Sequence, residues 1–249
     1  MEFKQSTIGE IIDSEKEMVL TGAQRYGEYY INAGEFNALL NNFIKSIDDP
    51  GKYIFVAFLS QVRLNATLAL FSSVRLHHVQ AGLNLRHILE SGAWAAYAMG
   101  NAENNKFYEN DKDGILQVPK KLKEARDLWL TNNFQPKSDE IKRLKKIINE
   151  SVAHSNIVYA FQNFETKISE YGFHTPFFDF TDDYKVKCDL WFLANIILGL
   201  LDLFYGVNLQ YKVFKLRDDF LPVFRGLVDQ NNKLKAEMMN HPRFIKTLK

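Results

Sequence analysis

Hydrophobic residues recur at helical spacing along most of this chain. Across residues 26–47, seven apolar side chains follow one another at intervals of three and four, the pattern of one buried helix face. Residues 190–204 carry the strongest stripe of this kind. Asp49 and Pro50 predict a helix start, because Asp is favoured as an N-cap and Pro at the first helical position. The pattern predicts an all-α fold, a multi-helix bundle of long antiparallel helices.

Most of the remaining chain is predicted to be helical as well. Helices are expected over residues 53–74, where most faces are apolar, and over residues 79–99. Ser138 is expected to cap another helix, because the two acidic residues that follow it suit the positive end of a helix. That helix is predicted to continue, bent or straight, through an apolar stripe that ends at residue 171. A minor short strand pair is expected near residues 173–181, where proline and aromatic residues interrupt the helical spacing.

We predict a single all-helical domain over residues 1–249. A polar loop at residues 100–119, rich in Asn, Asp, Gly and Lys, separates two halves that have the same helical pattern of hydrophobic residues. The sequence contains no internal repeat and no long linker. A chain of 249 residues that is 46% hydrophobic is long and apolar enough to form one substantial core.

The composition excludes several classes of protein. With 24% charged residues, 13 glycines and 6 prolines, the chain is neither disordered nor collagen-like. The single cysteine, Cys188, excludes an intramolecular disulfide framework and a cysteine-rich metal site. The net charge of +1 argues against a broad basic surface that binds nucleic acid or anionic lipid, although it is compatible with a local basic patch.

The most apolar tract, residues 190–209, is interpreted as a buried core helix and not as a membrane span. It contains Asn195 and Asp202, whereas a span of about 20 residues is predominantly apolar with few or no charges. The first residues lack the apolar core of a signal peptide. We therefore expect a cytoplasmic protein that does not bind a membrane.

Common catalytic and metal-binding signatures are absent from the sequence. It has no glycine-rich phosphate loop, no G-x-S-x-G and no H-E-x-x-H. His77 and His78 are adjacent, so on a helix they point about 100° apart, and they are interpreted as surface or helix-end histidines. The run that begins at Glu109 imitates a calcium loop but has Lys120 where the glutamate ligand belongs, which favours an Asx-rich turn. We expect neither a metal nor a cofactor.

Arg86 and Glu90 form the first candidate functional site. They lie four residues apart among apolar and small residues, so one helical turn brings the guanidinium to the carboxylate. Two interpretations stay open. The pair is either a plain intrahelical salt bridge, or Glu90 organises Arg86 to meet a phosphate or a partner helix.

A basic segment precedes His154 on the predicted helix. Residues 117–149 carry nine basic and four acidic side chains, a net charge of +5, which leaves −4 for the rest of the chain. Imidazole transfers protons near neutral pH, and a positive field favours phosphate. Glu150 lies one turn before His154 and is placed to orient the imidazole ring. In the alternative interpretation of this segment, the basic residues only form a solvent-exposed helix face and His154 packs at a helix interface. The basic residues closest to the histidine are Lys142, Arg143, Lys145 and Lys146.

An Arg-x-x-x-Glu helix followed, after a variable loop, by a helix with Asn149 and His154 resembles proteins of the HEPN superfamily. Those proteins are all-α bundles, commonly homodimers, and many are metal-independent ribonucleases of prokaryotic defence and toxin systems. The resemblance implies that His154 acts as general base on a ribose 2′-hydroxyl of RNA, in a cleft formed by two copies. In the family signature, an arginine precedes the histidine, and four to six residues of any type separate the two. Here Asn149 stands at the first of those positions and would hold the phosphate together with the lysines.

Three hypotheses for the function stay open. The first is a metal-independent endoribonuclease, or a toxin or defence effector of the HEPN type. The second is a catalytically silent helical module that binds RNA, a nucleotide or a protein partner, because Asn149 cannot stabilise developing negative charge as a guanidinium does. The third is an unrelated helical scaffold, whose aromatic residues serve packing and an oligomer interface.

Overall fold

Helices form most of the structure, which confirms the predicted all-α fold. The computed structural model describes residues 6–47, 49–101, 107–119, 121–151, 165–169, 172–174, 177–179 and 182–247. The helices in these ranges are α1 (Ile8–Leu20), α2 (Gly22–Tyr26), α3 (Glu28–Asn42), α4 (Tyr53–Val74), α5 (His78–Gly100), α6 (Leu122–Ser151), α7 (Asp183–Tyr211), α8 (Phe220–Met239) and α9 (Pro242–Thr247), and Pro50–Lys52 forms a 3₁₀ turn.

Short antiparallel strand pairs accompany the helices. In the residues that the structure describes they are β1 (Ile44–Ile47) with β6 (Phe214–Leu216), β2 (Glu109–Asn110) with β3 (Leu116–Gln117), and β4 (Glu165–Ser169) with β5 (Gly172–His174). Because β1 follows α3 and β6 follows α7, the first pair ties together the C-terminal ends of these two helices.

Helix α7 lies at the centre of the bundle, and α3 runs parallel to it. Near the beginning of both helices, Arg25 of α2 pairs with Asp183 at 3.0 Å. At their far ends, the rings of Phe43 and Phe204 stack with centroids 6.2 Å apart. Both phenylalanines are buried, so the stacked pair belongs to the hydrophobic core.

Helix α5 also runs parallel to α7 and packs closely against it. His78, the first residue of α5, contacts Asp189 in the first turns of α7, and further along the two helices Gly92 meets Leu200. A Cβ atom at position 92 would lie 2.6 Å from a methyl carbon of Leu200. The absence of a side chain at Gly92 therefore sets the distance between the two helices.

Helices that are neighbours in sequence are antiparallel, as the pattern predicts. Helices α4 and α5 form a hairpin in which Lys52 Nζ donates to the carbonyl oxygen of Met99 at 3.1 Å. One third of the way along, the rings of Phe58 and Trp94 stack with centroids 5.8 Å apart. The predicted helices over 53–74 and 79–99 therefore correspond to α4 and α5 to within one residue at each end.

The first apolar stripe is not one helix, contrary to the prediction. Gly27 has φ +57 and separates α2 from α3, because glycine adopts this left-handed conformation without steric cost. Helix α3 ends at Asn42, and Ile47 lies in β1, where it pairs with Phe214. A short strand is compatible with the same apolar spacing because Ile47 is partly buried and packs against the hydrophobic core.

The prediction that Ser138 caps a helix is wrong. Ser138 lies inside α6, it is buried, and its hydroxyl is 3.0 Å from that of Thr131. The helix is kinked at Phe134, whose backbone is not helical, two residues before Pro136. Proline has no backbone N–H and disfavours helical geometry before it, so a first helical segment ends at this kink and a second begins just after it, a few residues before the predicted cap.

The strand pair of the C-terminal half lies earlier than predicted. It joins Glu165–Ser169 to Gly172–His174, so it overlaps the expected range 173–181 only at its end. Ile168, which was placed on a helical stripe, is therefore in a strand, and the predicted helix does not continue to residue 171. Residues 152–164, with His154 among them, lie outside the described residues.

Two turns have the chemistry expected from the sequence. Asp49 accepts a hydrogen bond from the Gly51 backbone N–H at 2.8 Å, at the start of the 3₁₀ turn. Asp111 Oδ1 accepts from the backbone N–H groups of Asp113 at 2.9 Å and Ile115 at 2.8 Å. The imitation calcium loop is thus an Asx turn within the β2–β3 hairpin.

By length and composition alone, α4 and α7 are apolar enough to cross a membrane. In their most apolar windows, 44% and 56% of the residues respectively are buried inside the protein. Core helices of soluble proteins pass the same test, so this is weak evidence for a span. The cytoplasmic location stays a prediction.

Candidate functional site

A cavity of about 490 Å³ lies between the first halves of α5 and α7. The end of α6 closes one side of it, and residues of α8 and α9 close another. This volume falls in the range of about 300–1,000 Å³ that is typical of small-molecule sites. Apolar side chains make up most of the lining, and the largest are Leu85, Ile147, Ile148, Trp191, Phe192 and Phe244.

His78 lines the cavity and is held in place by the turn before it. Leu76 has φ +59, a left-handed conformation that is uncommon for a residue with a side chain, so the turn between α4 and α5 is strained. Asp179 secures this turn, because its backbone N–H donates to the Leu76 carbonyl at 3.0 Å and its Oδ2 accepts from the His78 N–H at 2.7 Å. These two hydrogen bonds fix the backbone of His78 on the first turn of α5, and with it the position of the Cβ atom that carries the imidazole.

Asp189 orients the imidazole from the opposite wall. Its Oδ2 lies 2.5 Å from His78 Nδ1, and its Oδ1 accepts from Lys185 Nζ at 2.8 Å. Burial alone would raise the pKa of Asp189, but the hydrogen bond from His78 and the charge of Lys185 outweigh it and lower the pKa below its ordinary value. Asp189 is therefore ionised at neutral pH and can only accept hydrogen bonds, so His78 Nδ1 carries a proton.

His78 Nε2 is a buried polar atom that has no hydrogen-bond partner in the described part of the chain. The His78 side chain is 5% exposed. Other polar groups of the lining are already used: the Tyr184 hydroxyl donates to the Met238 carbonyl at 3.2 Å, and Trp191 Nε1 donates to the Asn231 carbonyl at 3.0 Å. Leaving a buried polar atom unpaired costs about 1–3 kcal/mol, so the packing around Nε2 is energetically unfavourable in the described part of the structure.

Cys188 is the only cysteine of the chain and lies in the same lining, half-buried. Burial raises the pKa of its thiol, and the hydrogen bond with Tyr184 offsets this only in part. A thiol with a raised pKa is a poor nucleophile at neutral pH, so we assign no chemical step to Cys188.

The structure brings together three of the residues predicted from sequence. Glu90 Oε1 lies 3.4 Å from Arg86 Nε and 3.0 Å from Lys145 Nζ, so it bridges α5 and α6. Burial would raise the pKa of Glu90, but the hydrogen bond and charge of Lys145, followed by those of Arg86, lower it overall. The pair predicted within one helix is in fact a three-residue cluster between two helices.

The other predicted basic residues of α6 contact neighbours on their own helix. Arg143 donates to both carboxylate oxygens of Glu140 at 2.7 and 2.6 Å. Lys142 Nζ donates to the Thr131 hydroxyl at 3.1 Å. The carboxylate of Glu140 offsets the charge of Arg143, whereas the neutral hydroxyl of Thr131 leaves the charge of Lys142 in place.

Near the end of α6, Lys146 and Glu150 are both largely exposed and 3.8 Å apart. Asn149 Oδ1 is buried and has no hydrogen-bond partner among the described residues. The predicted general base, His154, lies outside those residues, so the predicted grouping of His154 with Asn149, Glu150 and the lysines stays a prediction. In the ranges that the structure describes, no group of three or more His, Cys, Asp or Glu side chains could hold a metal ion.

Sequence reasoning missed the pair formed by His78 and Asp189. His78 was recognised as a helix-end residue, and it does begin α5, but it is buried and not on the surface. Asp189 lies 111 positions further along the chain. No local sequence pattern connects the two residues. The only sequence signal for a functional role was that Asp189 is charged and directly precedes the most apolar tract, residues 190–209.

No protein family, curated protein or solved structure matches this chain. The resemblance to the HEPN superfamily is therefore neither supported nor contradicted by comparison with known proteins.

Proposed function

We propose that this protein binds a small, largely apolar molecule in the cavity between α5 and α7, with the polar end of that molecule at the corner formed by His78, Lys185 and Asp189. The observation that carries the proposal is a cavity of about 490 Å³ whose lining is mostly apolar and has one polar corner. Binding pockets for small molecules typically combine an apolar surface with few, well-placed polar groups. The proposal shares with the second sequence hypothesis a helical module that binds without catalysis, but that hypothesis named RNA, a nucleotide or a protein partner as the ligand.

The orientation of His78 is the second support. An imidazole held by a carboxylate and by the backbone of a strained turn has little freedom to rotate toward water. Preorganised polar atoms lose less entropy when they bind a ligand, which increases affinity.

The fluorescent probe N-phenyl-1-naphthylamine tests the proposal, because it is neutral, apolar and carries one N–H group. We expect saturable fluorescence enhancement with the wild-type protein, and protection of Cys188 from alkylation by iodoacetamide when the probe is bound. Leu85→Trp, which fills the cavity, should weaken probe binding at least about tenfold. The matched control is Leu128→Trp, at an exposed leucine on α6 outside the cavity lining.

Circular dichroism establishes that both variants fold. The proposal is wrong if the probe leaves the alkylation rate of Cys188 unchanged and binds equally well to the two tryptophan variants. Cys188 is a specific reporter, because the chain has a single cysteine and it lies in the cavity wall.

We also retain metal-independent RNA cleavage as a second proposal, because Arg86 and Lys145 lie together at Glu90, on the two helices of the resemblance to HEPN proteins. Two cations beside one carboxylate leave a net positive charge that suits a phosphate. The test is cleavage of a labelled mixed-sequence RNA in EDTA by the wild-type protein, His154→Ala and His87→Ala. His87 is an exposed histidine of α5 and serves as the control. Cleavage that survives in His154→Ala, or is absent from the wild-type protein, would overturn this proposal.

A further inference from the structure

We infer that the outward face of α4 is a contact between two copies of this chain, which pack α4 against α4 in antiparallel orientation about a two-fold axis. The outward face consists of the exposed residues of the helix, which recur at spacings of three and four: Tyr53, Val56, Ala57, Ser60, Gln61, Leu64 and Leu68. The inference is independent of the cavity and of the ligand proposed for it.

Large apolar side chains are exposed along this whole face. The exposed fractions are 49% for Tyr53, 36% for Val56, 53% for Leu64 and 37% for Leu68. Because these residues recur at helical spacing, they form one stripe on a helix of 22 residues, which is about 33 Å long. Exposed apolar residues that are contiguous mark an interaction site, whereas single scattered ones do not.

The outward face carries no charged side chain. Arg63 is the only charged residue in the sequence of α4, and its Nε donates to the Leu40 carbonyl of α3 at 3.1 Å, so it faces α3. A partner with charged groups at its contact surface would bury them without counter-ions, which is costly. A second copy presents the same uncharged face and is complementary to it. The net charge of +1 also means that two copies repel each other little.

Polar side chains on and beside the outward face are bonded to the backbone of α4 itself. Ser60 Oγ donates to the Val56 carbonyl at 3.0 Å, and Asn65 Nδ2 donates to the Gln61 carbonyl at 2.8 Å. Removing water from such groups costs less than removing it from unpaired polar groups. The face therefore suits a dry contact.

The two ends of α4 favour a protein over a lipid surface as the occupant. Helices that lie on a membrane combine an apolar face with lysine or arginine side chains that meet the lipid head groups. At the beginning of α4, Lys52 Nζ donates to the Met99 carbonyl at 3.1 Å, and at its end Arg75 pairs with Glu15 at 3.2 Å. Both cations thus serve groups of the same chain.

The alternation of large and small residues selects the register of the contact. With the two-fold axis between Ser60 and Gln61, Leu64 of one copy lies opposite the small Ala57 of the other. A large side chain opposite a small one lets two helices approach to the usual interaxial distance of about 8–10 Å. The two Gln61 side chains then lie beside the axis, where their amide groups can bond each other.

Sedimentation velocity over a wide range of protein concentrations tests the inference. We expect the wild-type protein to form a dimer, and Leu64→Glu to weaken dimerisation at least about tenfold, because two unpaired carboxylates would be buried in each dimer. The matched control is Leu128→Glu, at an exposed leucine of α6, which should dimerise like the wild-type protein. Circular dichroism establishes that both variants fold.

A second variant tests the register. Ser60→Cys places a thiol beside the axis in each copy, so oxidation by copper(II)–phenanthroline should give a disulfide-linked dimer. The wild-type protein, whose only cysteine is Cys188 on α7, is the control and should stay uncross-linked.

Several outcomes would overturn the inference. They are a monomer at every concentration, a dimer that Leu64→Glu leaves intact, and a Ser60→Cys dimer that does not cross-link. Co-sedimentation of the wild-type protein with phosphatidylcholine vesicles, abolished by Leu64→Glu, would assign the face to lipid and overturn it as well. None of these results bears on the ligand cavity, so failure of this inference leaves the proposed function intact.

Discussion

Asp189 Oδ2 lies 2.5 Å from His78 Nδ1, across the contact between α5 and α7. The same carboxylate accepts from Lys185, so a single acidic group organises one imidazole and one ammonium at the polar corner of the cavity. The proposed function places the polar end of the bound molecule at this corner.

Asp189→Asn should lower the free energy of unfolding by about 1–3 kcal/mol near neutral pH, because His78 and Lys185 lose an ionised acceptor. The pKa of Asp189 is lowered on folding from its ordinary value of 3.8. Its ionisation therefore stabilises the folded protein above this pH, and that contribution is lost as the pH falls below 3.8 through the folded-state pKa.

Urea unfolding of the wild-type protein and Asp189→Asn across this pH range measures the effect. The difference between them should be largest near neutral pH and shrink in acid. Asp229→Asn, at an exposed position of α8, is the control and should cost less than about 0.5 kcal/mol. A difference that stays constant into strong acid would contradict the assigned role of the carboxylate.

Gly92→Ala should destabilise the protein by about 1–3 kcal/mol, because the added Cβ would lie 2.6 Å from a methyl carbon of Leu200. Gly199→Ala is the matched control, since it lies in the middle of α7 and a Cβ there meets no atom within 4 Å. The control should be neutral or gain up to about 1 kcal/mol from the helix propensity of alanine. Thermal and urea unfolding of both variants decide this, and equal effects would argue against the close approach of α5 to α7.

Lys212→Gly should stabilise the protein by about 1 kcal/mol. Lys212 ends α7 with φ 49 and ψ 49, a left-handed conformation that glycine adopts without strain. Lys212→Ala removes the same exposed side chain without relieving the backbone, so it should give no such gain. Chemical unfolding of the two variants separates the backbone effect from the loss of the lysine.

Glu90 and Lys145 should show a coupling energy of about 0.5–1 kcal/mol in a double-mutant cycle with alanine, because both are partly buried and join α5 to α6. The matched control is the cycle for Lys146 and Glu150, which are largely exposed and 3.8 Å apart. Its coupling should be close to zero. Equal coupling in the two cycles would mean that the cluster around Glu90 does not connect the helices.

Local patterns were sufficient for much of the fold. The bounds of α4 and α5, the Asp49 turn and the Asx turn at Asp111 follow from apolar spacing and from side chains that bond their own backbone. These features depend on residues within a few positions of each other. The predictions were wrong where tertiary contacts decided the conformation, as for Ile47 in β1 and for Ser138 within α6.

The sequence by itself determined that this protein is a helical bundle and where most of its helices lie, because helix periodicity is a property of neighbouring residues. Only the tertiary structure placed α5 parallel to α7, through the contact of Gly92 with Leu200. The first halves of the two helices line the cavity, and their packing brings Asp189 to His78, although 111 positions separate them. Such a pair arises from the packing of distant helices, for which no local pattern in the chain carries a signal.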